Sequence, residues 1–300
     1  MAKWVVNQPS TVREVTIKMP DNKAIVESVK TILFPALAHF SLVSLELSDW
    51  PDSSDLLSYS VLSKGTLKEI HGDLIPFNTA SQIAQNNQLE SISALYLGSF
   101  DLSRFRSLKV LRCDATQFDE YPATFVCPSS LRILDMDTCG GDIPNLTSCP
   151  LDKLTLRSFE GVSDQIDHLP RTLNEFVLVD DDQFEISDIP ELLEQLHVLR
   201  ILVLEDVRVC VEKDDVSLAE VVPSRLSVVV NNCHCSYDAF EPCYDSDSEE
   251  SDSDSDFYSQ FEVRKGGLCT RCVRLMDKCF PNITYKEPTD EELGFHVIEI

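Results

Sequence analysis

Apolar residues recur along this 300-residue chain in one short spacing. In the stretch LRILDMD, Leu131, Leu134 and Met136 occupy the first, fourth and sixth places, with polar residues at most places between them. Side chains alternate across a strand, so the fourth and sixth places enter one face and the third, fifth and seventh places the other. The spacing therefore predicts a short strand whose apolar side chains enter a core shared with neighbouring strands. It returns at Val12, Val15 and Ile17; at Leu42, Leu45 and Leu47; at Leu67 and Ile70; and at Ile92, Leu95 and Leu97. It continues at Leu108, Leu111 and Cys113; at Leu151, Leu154 and Leu156; and at Leu173, Phe176 and Leu178. The last copies are Leu199, Leu202 and Leu204, then Leu226 and Val229.

From Leu42 onward the first places are separated by 25, 25, 16, 23, 20, 22, 26 and 27 residues. Between them the pattern changes. In residues 22–40, Ile25, Val26, Val29, Ile32 and Leu33 follow helical spacing, which predicts a helix that caps the start of the stack. Residues 75–89 and 186–199 read as partly helical, with Leu192, Leu193, Leu196 and Leu199 on one face. Residues 118–128 and 143–150 contain proline and predict irregular or 3-10 connections.

Repeats of roughly 20–29 residues built on this spacing resemble the leucine-rich repeat family. The resemblance covers about residues 12–232 and has one departure. The family usually places Asn or Cys at the ninth position, where it bonds neighbouring backbone turns. Here that position holds Trp50, Ile75, Phe100, Thr116, Cys139, Phe159, Asp181 and Val207, of which Cys139 and Thr116 fit. The resemblance implies an α/β leucine-rich-repeat solenoid, a curved parallel sheet with variable outer helices and loops. The expected organisation is a solenoid over residues 1–232, a cysteine-rich cap over 233–285 and a tail over 286–300.

In such a solenoid the outward strand places line a concave face. Early repeats present polar residues there, such as Glu14, Thr16, Lys18, Glu46, Glu69 and His71, followed by Ala94 and Tyr96. Late repeats present Val177, Val179, Ile201, Val203, Val228 and Val230. A contiguous exposed apolar patch marks a binding surface, so these six residues are the candidate partner-binding set. Two other readings stand beside it: the chain's own residues 258–300 cover the patch, or the valines reflect strand propensity.

Charge narrows the partners. The chain carries 51 acidic and 25 basic residues, a formal net charge of -26. Such a surface repels phosphates, which argues against nucleic acid and in favour of protein partners, basic ones included. Seven of the thirteen residues 245–257 are Asp or Glu, a composition that predicts a disordered loop. Within it Ser246, Ser251 and Ser253 each precede an acidic residue by three places, resembling targets of an acid-directed kinase of the casein-kinase-2 type. The same composition also serves as a solvated spacer.

Six of the eleven cysteines fall within residues 233–279. Cys233, Cys235, Cys269 and Cys272 form a CxC and a CxxC that together can supply four thiolates to a structural zinc. The competing reading is a set of reduced thiols used as small apolar residues. The opening residues contain no long apolar run, and no stretch reaches the length of a membrane span, so the expected location is cytoplasmic or nuclear.

No GxSxG, GxxxxGK[ST], HExxH or GxGxxG motif occurs, and with 9 glycines phosphate-cradling loops are scarce. The sequence thus predicts a non-catalytic, monomeric interaction scaffold or adaptor. Alternatives are an acidic chaperone of histone-like clients, resembling the acidic leucine-rich nuclear phosphoproteins, and a ubiquitin-ligase substrate receptor of the leucine-rich-repeat type. A redox or metal-sensing protein built on the cysteine pairs is a third class.

Overall fold

A computed structural model describes residues 12–18, 31–32, 37, 40–48, 65–74, 88–96, 102–114, 126–137, 143–158, 163–180, 184–185, 189–210, 223–235, 268 and 270–286. They belong to two compact units, Met1–Thr138 with Ile143–Asp152, and Cys139–Asp142 with Lys153–Ile300. Both are parallel-sheet solenoids with few helices among the described residues.

In the first unit the strands are β1 (Glu14–Lys18), β2 (Ser44–Ser48), β3 (Glu69–Leu74), β4 (Ser91–Tyr96), β5 (Val110–Asp114) and β6 (Ile133–Asp137). Each pairs in parallel with the next. The apolar fourth places are aligned by this pairing, Val15 with Leu45, Leu45 with Ile70, Ile70 with Ile92, Ile92 with Leu111 and Leu111 with Leu134. From Leu45 onward this row is buried, and so are the first-place Leu42, Leu67, Leu89, Leu108 and Leu131. Parallel strands cannot be joined by a two-residue hairpin, so every coil must travel around the outside before it returns.

The backbone closes each coil in one way. The second-place carbonyl accepts two N–H groups from the following coil. Arg13 O accepts from Val43 at 2.7 Å and Ser44 at 3.1 Å, and Val43 O accepts from Lys68 at 2.8 Å and Glu69 at 3.0 Å. The arrangement repeats at Lys68, Glu90 and Lys109. It satisfies donors at the strand start that would otherwise be buried without partners.

The second unit carries β7 (Lys153–Arg157), β8 (Glu175–Val179), β9 (Phe184–Glu185), β10 (Ile201–Glu205), β11 (Arg208–Cys210), β12 (Ser227–Asn231), β13 (His234–Cys235) and β14 (Ile283–Lys286). Strands β7, β8, β10, β12 and β14 pair in parallel in that order. The short β9, β11 and β13 form a separate parallel sheet in the order β13-β11-β9. The core row Leu154, Phe176, Leu202 and Val228 is fully buried. On the outside, a 3-10 helix (Ser163–His168) and α1 (Ile189–Gln195) bury Ile166, Ile189 and Leu192. A last helix, α2 (Thr270–Cys279), buries Val273 and Met276 ahead of Phe280.

One left-handed residue follows each of β7, β8, β10 and β12. Ser158, Asp180, Asp206 and Asn232 have φ of 50°, 56°, 52° and 48°. Short polar side chains tolerate this region better than branched ones. The kinked residue donates its N–H to the end of the next sheet strand, Ser158 to Val179 O at 2.9 Å, Asp180 to Glu205 O at 2.9 Å and Asp206 to Asn231 O at 3.0 Å. Beyond the last three kinks the chain enters β9, β11 and β13.

Two registers differ from the sequence expectation. The repeat that includes β4 starts at Leu89, not Ile92. Ile92 lies opposite Ile70 and Leu111, Ala94 is buried, and Ser91 and Ser93 take the outward places. The spacings of 25 and 16 residues are thereby replaced by 22 and 19. In β12, Val228 pairs with Leu202 and Val230 with Leu204, so both valines face the core and Val229 faces outward. Leu226 is followed by one residue, where other repeats have two, before the first inward strand place. The expected capping helix over residues 22–40 and the helical reading of residues 75–89 lie largely outside the described residues.

A one-residue change of register exchanges the faces of a strand, so two aspartates separate the possibilities. Val230→Asp should destabilise the chain by about 4 kcal/mol or more, because it buries an unpaired charge, whereas Val229→Asp should cost about 1 kcal/mol. The midpoint of urea denaturation followed by circular dichroism measures the difference; equal shifts would reverse the β12 register.

Candidate functional site

The outward face of the second unit is built by the fifth strand places. Register places Thr155 beside Val177, Val177 beside Val203, Val203 beside Val229, and Val229 beside Thr284. The result is an unbroken row of β-branched side chains, which pack well against neighbours across a pleated surface. On one flank run Lys153, Glu175, Ile201 and Ser227, with Lys153 Nζ 2.7 Å from Glu175 Oε1. On the other run Arg157, Val179, Glu205, Asn231 and Lys286.

Accessibility along this face is uneven. Val177 and Val179 are 7% and 9% exposed and Thr155 is also buried, whereas Ile201 is 37% exposed and Val203 and Val229 are half-buried. The apolar surface that remains open is therefore Ile201, Val203 and Val229. Of the six residues expected from the sequence, Ile201 and Val203 are outward and accessible, and Val177 and Val179 are outward but buried. Val228 and Val230 point inward and are fully buried, a correction that follows from the β12 register. Val229 escaped the sequence reading because three consecutive valines give alternation no purchase.

In the first unit the outward face is mainly polar, with Val110 beside Ile133 as its apolar pair. Thr16 Oγ1 donates to Glu46 Oε2 at 2.9 Å, and Arg112 lies 3.9 Å from Asp135. Beside it, three second places from consecutive repeats form a bridge: Glu90 Oε1 meets Lys68 Nζ, and Glu90 Oε2 meets Lys109 Nζ, both at 2.6 Å. Hydrogen bonds from Lys109 and then Lys68 hold the Glu90 carboxyl down from its ordinary 4.5 to about 2. The sequence spacing, once Leu89 is set as a first place, puts these three side chains in one row.

The cysteine set is placed at one member. Cys233 is fully buried, and its thiol donates to Leu204 O at 3.4 Å and Asn231 O at 3.5 Å. Burial pushes this thiol up to about 11. With the β12 register corrected, Cys233 lies one coil beyond Val207, at the position where the sequence reading sought a backbone-bonding Asn or Cys. Cys235 lies in β13 and Cys272 in α2, their side chains outside the described residues, as are Cys269 and the serines Ser246, Ser251 and Ser253. Among the described residues no three His, Cys, Asp or Glu side chains gather as a metal set, and no helix is long and apolar enough to cross a membrane.

Two titrations follow from this geometry. By carbon-detected NMR, the Glu90 carboxyl should titrate near pH 2, and Lys109→Ala should move it upward more than Lys68→Ala. Because the folded value lies below the ordinary one, the bridge's contribution to stability is complete above pH 4.5 and is lost as pH falls toward 2. The second concerns Cys233, which should resist iodoacetamide at about pH 8 in the folded chain and react once urea unfolds it, since the thiolate is the reactive form. Peptide mapping reads that difference.

No family model matches this chain, and no curated protein matches it.

Proposed function

We propose that this chain is a non-catalytic interaction protein of the leucine-rich-repeat type that docks a partner protein on the outward strand face of its second unit. The repeat spacing in the sequence and the parallel, in-register strands support the scaffold. The observation that carries the docking face is the accessible Ile201, Val203 and Val229 on a sheet surface otherwise rimmed by Lys153, Glu175, Glu205 and Lys286. An apolar centre inside a charged rim is the layout of a protein-protein interface, in which a few desolvated anchors supply most of the affinity. The partner expected on this face presents an apolar segment flanked by charges of both signs.

A second reading draws on the net charge of -26, which favours basic clients held by long-range attraction. The two separate by salt. Charge-driven binding weakens steeply as the screening length falls from about 10 Å at 0.1 M to about 3 Å at 1 M salt, whereas apolar docking persists.

Affinity purification with the full chain beside a Val203→Asp, Val229→Asp variant, each matched by circular dichroism, tests the proposal. The variant should recover the partner at least about tenfold less well, the loss of about 1.4 kcal/mol or more that one or two anchors supply. Equal recovery of the same partners by both proteins would overturn the docking face. Equal recovery that disappears at high salt would favour the acidic-chaperone reading.

A further inference from the structure

A cysteine followed by proline occurs in two neighbouring coils of the first unit, Cys127-Pro128 and Cys149-Pro150. Neither residue is in a disulfide, and the two thiols interact. The backbone beside them is clamped independently. The Arg132 guanidinium donates to Ser129 O at 2.9 Å, Leu131 O at 2.8 Å and Pro150 O at 3.3 Å, so the chain two residues after Cys127 is tied to the chain one residue after Cys149. Asp152 N also donates to Arg132 O at 2.8 Å.

We propose that Cys127 and Cys149 are a redox-sensitive pair that a peroxide closes into a reversible disulfide between successive coils. The two thiols have different access. Cys127 is half-buried, and its thiol also reaches Pro128 O at 3.7 Å, whereas Cys149 is buried. The hydrogen bond with Cys127, together with burial, holds the Cys149 thiol protonated, far above the ordinary thiol range. Cys127 is thus the residue that meets the oxidant, and Cys149 the one that resolves it.

In the first step the Cys127 thiolate sulfur attacks one peroxide oxygen. The O–O bond breaks, Cys127 becomes a sulfenic acid, and the departing hydroxide is protonated to water. In the second step the Cys149 sulfur attacks the sulfenic sulfur. The S–O bond breaks, the hydroxyl leaves as water with the Cys149 proton, and the S–S bond forms. Two thiols have lost two electrons and two protons, and one peroxide has become two waters. A dithiol reductant reverses the change by exchange.

Oxidation of the full chain with graded hydrogen peroxide, alkylation of the remaining thiols and peptide mapping test the proposal. Cleavage before Asp119, Asp135, Asp142 and Asp152 places Cys127 and Cys149 in separate peptides that hold no other cysteine. The expected product is these two peptides joined, two hydrogens lighter than their sum, and separated again by dithiothreitol. A Cys149→Ser variant should stop at the sulfenic acid and yield a dimedone adduct on Cys127, whereas Cys127→Ser should leave Cys149 unoxidised. If Cys127 and Cys149 remain separately alkylated at doses that oxidise other cysteines, or if Cys127 joins a different cysteine, the pair has no such role. The wild-type peptide map decides the matter even where a variant fails to fold.

Discussion

In-register stacking of inward side chains is the constraint from which the other features follow. Leu154, Phe176, Leu202 and Val228 form a single buried row because four parallel strands start level with one another. No strand can slip by one residue without turning its leucines to the outside. The same levelness lines up the second-place carbonyls, so one acceptor serves two donors of the following coil. It also lines up the outward side chains, which is how valines from separate repeats become one surface.

How each coil leaves the sheet is set by a smaller choice. A left-handed residue at Ser158, Asp180, Asp206 or Asn232 bends the chain, and at the first three its N–H still holds the neighbouring strand end. Aspartate and asparagine at these corners explain how a chain with few glycines turns so sharply. The corner aligns with the buried Cys233, whose thiol reaches back to Leu204 O of the preceding coil. Both are backbone-closing devices; the corner repeats with the register rather than with any fixed count of residues.

The sequence made the strands themselves legible, since wherever Leu or Ile filled the first and fourth places the predicted strand is present. It misled where the alternation lost contrast. Ala94 is too small to mark a core place, so Leu95 and Leu97 drew the repeat three residues late. In β12 the valines occupy both faces, and only the pairing partner Leu202 decides between them. The candidate site inherited that ambiguity: Ile201 and Val203 were readable, Val229 was not, and the burial of Val177 and Val179 depends on neighbours that a linear pattern does not show. The thiol contact of Cys127 with Cys149 was hidden for a similar reason, because the two lie in loops whose lengths differ.

The last strand of the second unit among the described residues, β14, differs from its predecessors. Ile283 and Tyr285 occupy inward places opposite Val228 and Val230 but are only half-buried, and Tyr285 Oη relies on Val273 O and Asp277 Oδ1. Each coil of a stacked array is held only by those next to it, so loosening proceeds inward from a terminus. Detachment of β14 would uncover a hydrophobic strand with unpaired amides along its margin, the kind of template on which other chains assemble. Among the described residues β14 is thus the margin that keeps β12 covered, and its half-buried Ile283 and Tyr285 make it the least anchored part of that sheet.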